Sequence, residues 1–223
     1  MNNLIKLIVK KNFQNFLRYF RIFILNEQRE ENLANILYKI INKKNINICD
    51  YGSGFNPKII KLLSEKIKFN NIHCFDYYNN AQILKLNNND LNIKFIKIKD
   101  YEKIKIKYDI VLLIDVMHHI GVKNKLINKI LIKLKKNCKL LIIKDVFEYS
   151  KFDRALLIIM DFIGNYSYNV KIPKLYFTEK SFKETLINCN FKDYKIIKNL
   201  RIYSKKFLFF SKKKFHFICI VSE

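Results

Sequence analysis

Apolar residues recur with two different periods along the chain, and the switch between them predicts the order of the secondary-structure elements. Helical spacing over Leu4–Leu25, and again from about Glu31 to Ile41, predicts two N-terminal helices. From residue 45 to residue 144, strand-like runs alternate with helical patterns, which is typical of a parallel sheet with helices on both faces. The strands predicted in this part are Asn45–Asp50, Asn71–Asp76, Lys94–Lys99, Tyr108–Asp115 and Lys139–Lys144, and the helical segments are Pro57–Lys66, Asn80–Lys85 and Lys123–Leu134.

The pattern changes after Asp145, where the segment Phe147–Tyr176 interrupts the alternation and contains one apolar helix, Phe152–Ile163. Thr178 is predicted to cap the helix that follows, because Ser181 stands where a capping partner belongs. The last elements are predicted over Glu179–Asn188, Lys192–Asn199 and Phe215–Val221. Together the elements predict an α/β fold, a Rossmann-like doubly wound sheet of seven strands that is mostly parallel, with an antiparallel C-terminal strand.

A glycine-containing turn follows the first predicted strand, in the segment Asp50-Tyr51-Gly52-Ser53-Gly54. Glycines allow a tight bend and let a ligand approach the backbone, and the helix predicted to start at Pro57, with Asn56 as its N-cap, offers free N–H groups. A dinucleotide fingerprint, G-x-G-x-x-G, requires glycine where Pro57 stands, so that class is excluded. The pattern acidic-x-G-x-G fits instead. Asp76, which ends the next strand, is placed to accept hydrogen bonds from a ribose.

These residues, with two later segments, resemble the class I S-adenosylmethionine-dependent methyltransferases, especially the small-molecule and quinone-biosynthesis group. The later segments are Asp100-Tyr101, after the third strand, and Tyr108 to Ile120, which contains Asp115-Val116-Met117-His118-His119. The likeness extends from about Ile46 to Lys144, and Asn56 replaces the third glycine of the first motif. It implies an S-adenosylmethionine cofactor bound by Asp50, Gly52, Ser53, Gly54, Asp76, Tyr77, Asp100, Tyr101 and Asp115.

The resemblance also implies one methyltransferase domain over residues 1–223, and that length suits a single α/β core. We expect an N-terminal helical cap in residues 1–42 and a cofactor-binding core in residues 43–145. An insertion that covers the methyl acceptor is expected in residues 146–177, followed by a C-terminal helix and strands in residues 178–223. Within the insertion, the available polar side chains are Asp153, Arg154, Tyr166, Tyr168 and Tyr176.

Three residues near the expected transfer point are candidates for catalysis. Asp145, which ends the fifth strand, could accept a proton from an acceptor hydroxyl, and Lys144 could stabilise an oxyanion. The alternative for this pair is an ordinary salt bridge. His118 is a candidate for the pocket or for simple packing, whereas packing under the sheet edge is favoured for His119. Direct displacement on an activated methyl carbon requires alignment above all, so we expect no covalent enzyme intermediate.

The acceptor is left open by the sequence, and several classes remain in competition. A small-molecule or lipid-linked acceptor is favoured over RNA, because the chain has no Pro-Pro motif for exocyclic amines and no Pro-Cys nucleophile. A non-catalytic protein with the methyltransferase fold is the third possibility, and the intact acidic and glycine residues of the turn argue against it. The oligomeric state is not indicated.

The net charge of +24 suggests an anionic partner, but lysines dispersed along the chain are equally typical of compositional drift. Met1–Leu25 and Phe207–Phe210 are basic and aromatic, so contact with an anionic membrane competes with a simple cap on the sheet. No apolar run reaches the roughly 18 residues of a membrane span. The five cysteines form no C-x-x-C pair and no metal-ligand spacing. We therefore expect a reducing, cytoplasmic location, with peripheral contact at the inner face of the membrane as an option, and no metal.

Overall fold

The computed structural model describes residues 28–79, 82–83, 85, 92–103, 105–122, 125–165, 170–203 and 212–222, together with Asn12 and Asn15. The predicted helix Leu4–Leu25, apart from those two positions, and half of the segment Asn80–Lys85 lie outside the described residues. The same is true of Tyr166, Tyr168 and Phe207–Phe210. Within the described part of the chain, no helix is long and apolar enough to cross a membrane.

Strands and helices alternate through the centre of the chain, as the periodicity predicts. The strands are β1 (Ile46–Tyr51), β2 (Phe69–Asp76), β3 (Ile93–Lys97), β4 (Tyr108–Ile114), β5 (Cys138–Val146), β6 (Tyr194–Lys198) and β7 (His216–Val221). The α-helices are α1 (Gln28–Ile41), α2 (Lys58–Ser64), α3 (Met117–Ile120), α4 (Lys125–Lys136), α5 (Lys151–Asn165) and α6 (Glu179–Asn188). A 3₁₀ turn over Ile98–Lys103 follows β3.

The seven strands form one sheet in the order β3-β2-β1-β4-β5-β7-β6. Strands β1 to β5 pair in parallel, and β7 runs antiparallel to both of its neighbours. The predicted fold class is therefore confirmed, including the antiparallel C-terminal strand. The chain winds outward from β1 in one direction and from β4 in the other. This reversal places a crevice at the carboxyl ends of β1 and β4, where ligands bind in open α/β sheets.

Both faces of the sheet are buried, which explains why the central strands are almost wholly apolar. Side chains alternate along each strand: Ile142 packs in the cluster with α1 and α2, and Ile143 packs in the cluster with α4 and α6. The same alternation separates Lys144 from Asp145, so these neighbours belong to opposite faces of the sheet. This separation determines what each of the two charged residues can contact.

The two predicted helix caps have different outcomes. Thr178 accepts a hydrogen bond from the backbone of Ser181, and the Ser181 side chain bonds back to Thr178, so α6 begins where the capping box predicts. The prediction for Asn56 is wrong, because Pro57 occupies the N-cap position of α2. The Asn56 side chain instead accepts a hydrogen bond from Lys61 Nζ at 3.2 Å.

Candidate active site

The turn between β1 and α2 is held to the end of β2 by hydrogen bonds. The backbone N–H groups of Gly52 and Ser53 donate to the carbonyl oxygen of Phe75 at 2.7 and 3.2 Å. Gly54 N–H donates to Asp76 Oδ2 at 2.6 Å, and Tyr77 N–H donates to Asp76 Oδ1 at 2.6 Å. The predicted residues of the turn and Asp76 therefore meet at one point. Asp76 fixes the loop while its carboxylate keeps further acceptor sites, since an ionised carboxylate offers about four.

Gly52 and Gly54 both have a left-handed backbone, but only Gly52 is also confined by a neighbour. Its φ is +85°, and a Cβ added there would lie 2.5 Å from Val116 Cγ2. Gly54 has a φ of +67°, and a Cβ added there would have no neighbouring atom within 4 Å. Gly52 therefore allows the turn to pack directly on the segment after β4.

Alanine substitutions at these two positions should separate strain from collision. Gly52→Ala should lower the free energy of unfolding by about 2–4 kcal/mol, since it adds overpacking against a stiff valine to the left-handed strain. Gly54→Ala should cost only about 1 kcal/mol. Urea denaturation of the two variants measures the difference. Equal losses of unfolding free energy would mean that Val116 moves aside and that its close approach to Gly52 does not affect stability.

Asp50, at the end of β1, is buried beside the turn. Burial, and to a smaller extent the charge of Asp76, raises the pKa of its carboxyl from 3.8 to about 7. A carboxyl group in this condition is poised to lose its proton when a cation comes close. Asp50 is thus a buried carboxyl group that a nearby positive charge would ionise, as expected for a residue next to the cofactor's positive groups.

The predicted adenine-binding residues lie in different environments. Tyr77 is 82% exposed next to Asp76 and is free to lie against a ligand. Tyr101 is only 2% exposed, with its ring packed against Tyr51, Phe75 and Tyr108 inside the core. Asp100 forms an ion pair with Lys103 at 2.7 Å. Because Tyr101 is covered by other rings even without a ligand, its expected contact with adenine is not supported by the structure.

Asp115 follows β4 with a φ of +55°, an unusual backbone conformation that aspartate tolerates better than most residues. Its carboxylate is bonded by two cations, the guanidinium of Arg29 from α1 and the ammonium of Lys144 from β5. Burial alone would raise the pKa of Asp115, but Lys144 and Arg29 outweigh that effect and hold it far below the usual range. Arg29 also donates to the hydroxyl of Tyr203 at 3.1 Å. We call Arg29, Asp115 and Lys144 the charge cluster.

His118 lies on the other face of the sheet, on the short helix α3, and is 3% exposed. Its Nδ1 lies 2.6 Å from Asp145 Oδ1, and its backbone N–H donates to Asp145 Oδ2 at 3.3 Å. Val146 N–H also donates to Asp145, which is fully buried. Burial lowers the pKa of His118, but the charge of Asp145 prevails and raises it to about 9. Asp145 therefore orients the imidazole.

The opposite edge of the His118 ring faces α5. Its Nε2 lies 3.4 Å from Asp161 Oδ2, and the hydroxyl of Tyr176 donates to the same carboxylate at 2.6 Å. The ring of His119 packs at a tilt against that of His118, and its Nδ1 lies 3.2 Å from the carbonyl oxygen of Lys171. We call His118, His119 and Asp161 the histidine cluster. Sequence reasoning did not single out Asp161 or Arg29, since neither belongs to a motif.

These contacts change the expectations for the predicted catalytic pair. Lys144 is 1% exposed and bonded to Asp115, so it has no open path to an oxyanion. Asp145 is covered by His118 and cannot touch an acceptor directly. In the insertion, Arg154 is paired with Glu148, and Asp153 is paired with Lys214, so both hold α5 in place. Tyr176 is likewise bonded to Asp161, so it ties the histidine cluster to the segment after α5.

The strand order and the acidic glycine turn bonded to Asp76 define the class I methyltransferase fold. No protein-family model and no curated protein sequence matches the chain. Solved structures do match: the plantazolicin methyltransferase BpumL, in complex with a monoazolic desmethylPZN analog and SAH, has a TM-score of 0.62 at 15% identity, over 96% of this chain and 90% of that chain. Magnesium protoporphyrin IX methyltransferase (ChlM) from Synechocystis PCC 6803, with bound SAH, has a TM-score of 0.57 at 16% identity, over 98% and 100% of the two chains.

A third match is a cyclopropane-fatty-acyl-phospholipid synthase-like protein from Lactobacillus casei ATCC 334. Its TM-score is 0.58 at 10% identity, and the match covers 88% of this chain and 92% of that chain. At these identities the likeness is one of fold, and it extends over nearly the whole chain in all three cases. The reaction and the acceptor of this protein therefore depend on its own residues.

Proposed function

We propose that this chain is an S-adenosylmethionine-dependent methyltransferase that acts on a small molecule, free or lipid-linked. The observation that carries the proposal is the hydrogen bond from Gly54 N–H to Asp76. This bond joins the glycine turn to the carboxylate proposed to bind the ribose, next to the buried Asp50 and at the point where the strand order of the sheet reverses. Support also comes from the matched structures of BpumL and ChlM, both of which hold SAH, the product that S-adenosylmethionine leaves after transfer.

The cofactor fits the site by its charges and its shape. Asp76 accepts hydrogen bonds from the ribose, and exposed Tyr77 lies against the adenine ring. Asp50 faces the sulfonium end, where its negative charge is favoured. The charge cluster offers a carboxylate and a guanidinium at the far end of the crevice, which matches the ammonium and carboxylate of the methionine part. Arg29 thereby gives α1 a part in cofactor binding that the sequence did not indicate.

On the acceptor side, the residues of this chain bind and orient rather than form bonds. The acceptor's nucleophilic atom attacks the methyl carbon, the carbon–sulfur bond breaks, and S-adenosylhomocysteine leaves, so no enzyme group becomes methylated. Asp161 and His119, the half-buried members of the histidine cluster, face the acceptor, and Asp145 acts as a positioning residue for the buried His118. BpumL is bound to a desmethylPZN analog and ChlM is named for magnesium protoporphyrin IX, which favours a small-molecule acceptor here as well. A net charge of +24 is compatible with contact at an anionic membrane, where lipid-linked acceptors reside.

Calorimetry with S-adenosylmethionine tests the cofactor assignment. Asp76→Ala should raise Kd about 10–100-fold, because hydrogen bonds to a charged group contribute about 1.5–3 kcal/mol. Asp193→Ala, an exposed carboxylate beside β6, is the matched control and should leave Kd unchanged. The Asp76 effect should become smaller with a cofactor analogue that lacks the ribose hydroxyls, because the ribose bond is then absent in both proteins and only the hold of Asp76 on the loop remains. Folded wild-type protein that binds no S-adenosylmethionine would refute the proposal.

A further inference from the structure

The histidine cluster contains a donor set that the methyl-transfer proposal does not by itself require. His118, His119 and Asp161 each offer one ligand atom, and these atoms all lie within 4.8 Å of one another. We propose that the histidine cluster binds a divalent transition metal, and that Zn²⁺ is the ion it fits best. Two imidazoles and one carboxylate are a donor set that zinc accepts in catalytic sites.

The spacing of the ligand atoms supports this assignment. His118 Nε2 and Asp161 Oδ2 are 3.4 Å apart. Two ligands of a tetrahedral zinc ion, each about 2.0–2.2 Å from the metal, are separated by about 3.4 Å. This edge of the site is therefore already at the right length. His119 is half-buried on the short helix α3 and supplies the third ligand atom, within 4.8 Å of the other two.

Each proposed ligand is oriented by a second group, as metal ligands in proteins usually are. His118 Nδ1 bonds to Asp145, which leaves its Nε2 for a metal, and His119 Nδ1 lies against the carbonyl oxygen of Lys171. Tyr176 donates its hydroxyl to Asp161 and fixes that carboxylate. A carboxylate–histidine pair such as Asp145–His118 raises the basicity of the ligand nitrogen.

The burial of His118 Nε2 points to the same place. His118 is 3% exposed, and its Nε2 makes no hydrogen bond in the described structure, although it lies at ion-pair distance, 3.4 Å, from Asp161 Oδ2. Buried polar atoms are rarely left unpaired, and such an atom calls for a ligand or ion. A metal would satisfy Nε2 and would also balance the two carboxylates, Asp145 and Asp161, that converge on this one ring. The competing arrangement is a protonated His118 between the carboxylates with no metal.

If the chain is a methyltransferase, as proposed above, a bound metal would also indicate the class of acceptor. Three protein ligands leave a fourth position open, where a hydroxyl-bearing acceptor can bind through its oxygen. The metal withdraws electron density from that oxygen and lowers the pKa of its hydroxyl, so the proton passes to solvent water. The oxygen then attacks the methyl carbon and the carbon–sulfur bond breaks. Neither Lys144 nor Asp145 has to contact the acceptor in this scheme.

Metal binding is tested on the full-length protein after dialysis against a chelator. Titration with Zn²⁺ in competition with a chromophoric chelator should show one tight site in the wild-type chain. His118→Ala and Asp161→Ala should each weaken that site at least tenfold, and Tyr176→Phe should weaken it several-fold while leaving the ligands in place. His73→Gln, which alters a buried histidine bonded to Tyr108, should bind Zn²⁺ as the wild type does. Co²⁺ in the same site should give the visible absorption of a tetrahedral ion.

Two results would overturn the metal assignment. One is the absence of a tight site in folded wild-type protein, which would leave a protonated His118 in the cluster. The other is unchanged affinity in both His118→Ala and Tyr176→Phe, which would mean that surface groups bind the ion. Calorimetry with S-adenosylmethionine on the metal-free protein measures cofactor binding independently of zinc. Cofactor binding without zinc binding leaves methyl transfer intact, and zinc binding without cofactor binding removes the transfer proposal alone.

Discussion

Replacing Lys144 with methionine should lower the free energy of unfolding by about 3–5 kcal/mol, the range found when one partner of a buried ion pair is removed. Lys144 is 1% exposed and bonded to Asp115, so the substitution leaves a mostly covered carboxylate with Arg29 alone. Methionine keeps the apolar stem and the approximate volume, which limits the packing loss. Urea denaturation monitored by circular dichroism measures the change.

The control is Lys139→Met, which removes an ion pair with Asp109 of similar length but on an exposed side chain. That change should alter the free energy of unfolding by about 1 kcal/mol or less. In the Lys144→Met/Asp115→Asn double variant, both charges are absent, so the loss should be smaller than the sum of the two single losses. Additive losses would show that Lys144 stabilises the sheet by packing and not by pairing.

The sequence predicted most of the fold because its signals were local. The capping box at Thr178 sets the start of α6, and the observed bounds Glu179–Asn188 are the predicted ones. The strands were predicted to within a few residues. A short apolar run such as Tyr108–Ile114 is typical of a parallel strand that is buried on both faces. The motif Asp50 to Gly54 likewise predicted its own turn. The glycine at position 52 is required there by its backbone angle and by Val116.

The site was harder to predict, because its key contacts join distant segments. Arg29 reaches Asp115 across 86 residues, and nothing in the sequence near Gln28–Ile41 marks it as more than a helix residue. Asp161 lies inside an apolar helix and gains meaning only when α5 packs beside His118. The adjacency of Lys144 and Asp145 in sequence suggested joint action. In the sheet the pleat directs them to opposite faces, each to its own partner.

Local rules also failed where two of them competed. Asn56 is a favourable cap residue, but the following proline takes the cap position and the helix begins at Lys58. Tyr101 matches the family position that contacts adenine, but the 3₁₀ turn Ile98–Lys103 directs its ring into the core. A motif thus predicts which residue is present, and the backbone of its turn decides which way that residue points. Tyr77, one residue beyond Asp76, is by contrast an exposed aromatic ring.

The affinity for S-adenosylmethionine should increase about tenfold per pH unit from pH 5 to about pH 7 and then level off. In the free protein the pKa of Asp50 is raised from 3.8 to about 7, so the protonated form predominates below neutrality. The cofactor's positive charge favours the ionised form, and binding therefore releases a proton throughout this window. The same raised pKa means that the cofactor-free protein loses stability as pH rises from about 4 to about 7, because the folded state binds the extra proton.

Asp50→Asn separates this carboxyl from the other groups that titrate nearby. The variant keeps Asp76, His118 and His119, so any pH dependence due to them persists, while the part due to Asp50 disappears. Calorimetry at pH 5, 6 and 7 should give a nearly constant Kd for Asp50→Asn, close to the wild-type value at pH 5. A wild-type Kd that stays constant over this range would show that the protonated carboxyl binds equally well. In that case the charge of Asp50 would not be what attracts the cofactor, and the burial of an acidic residue beside the turn would need another cause.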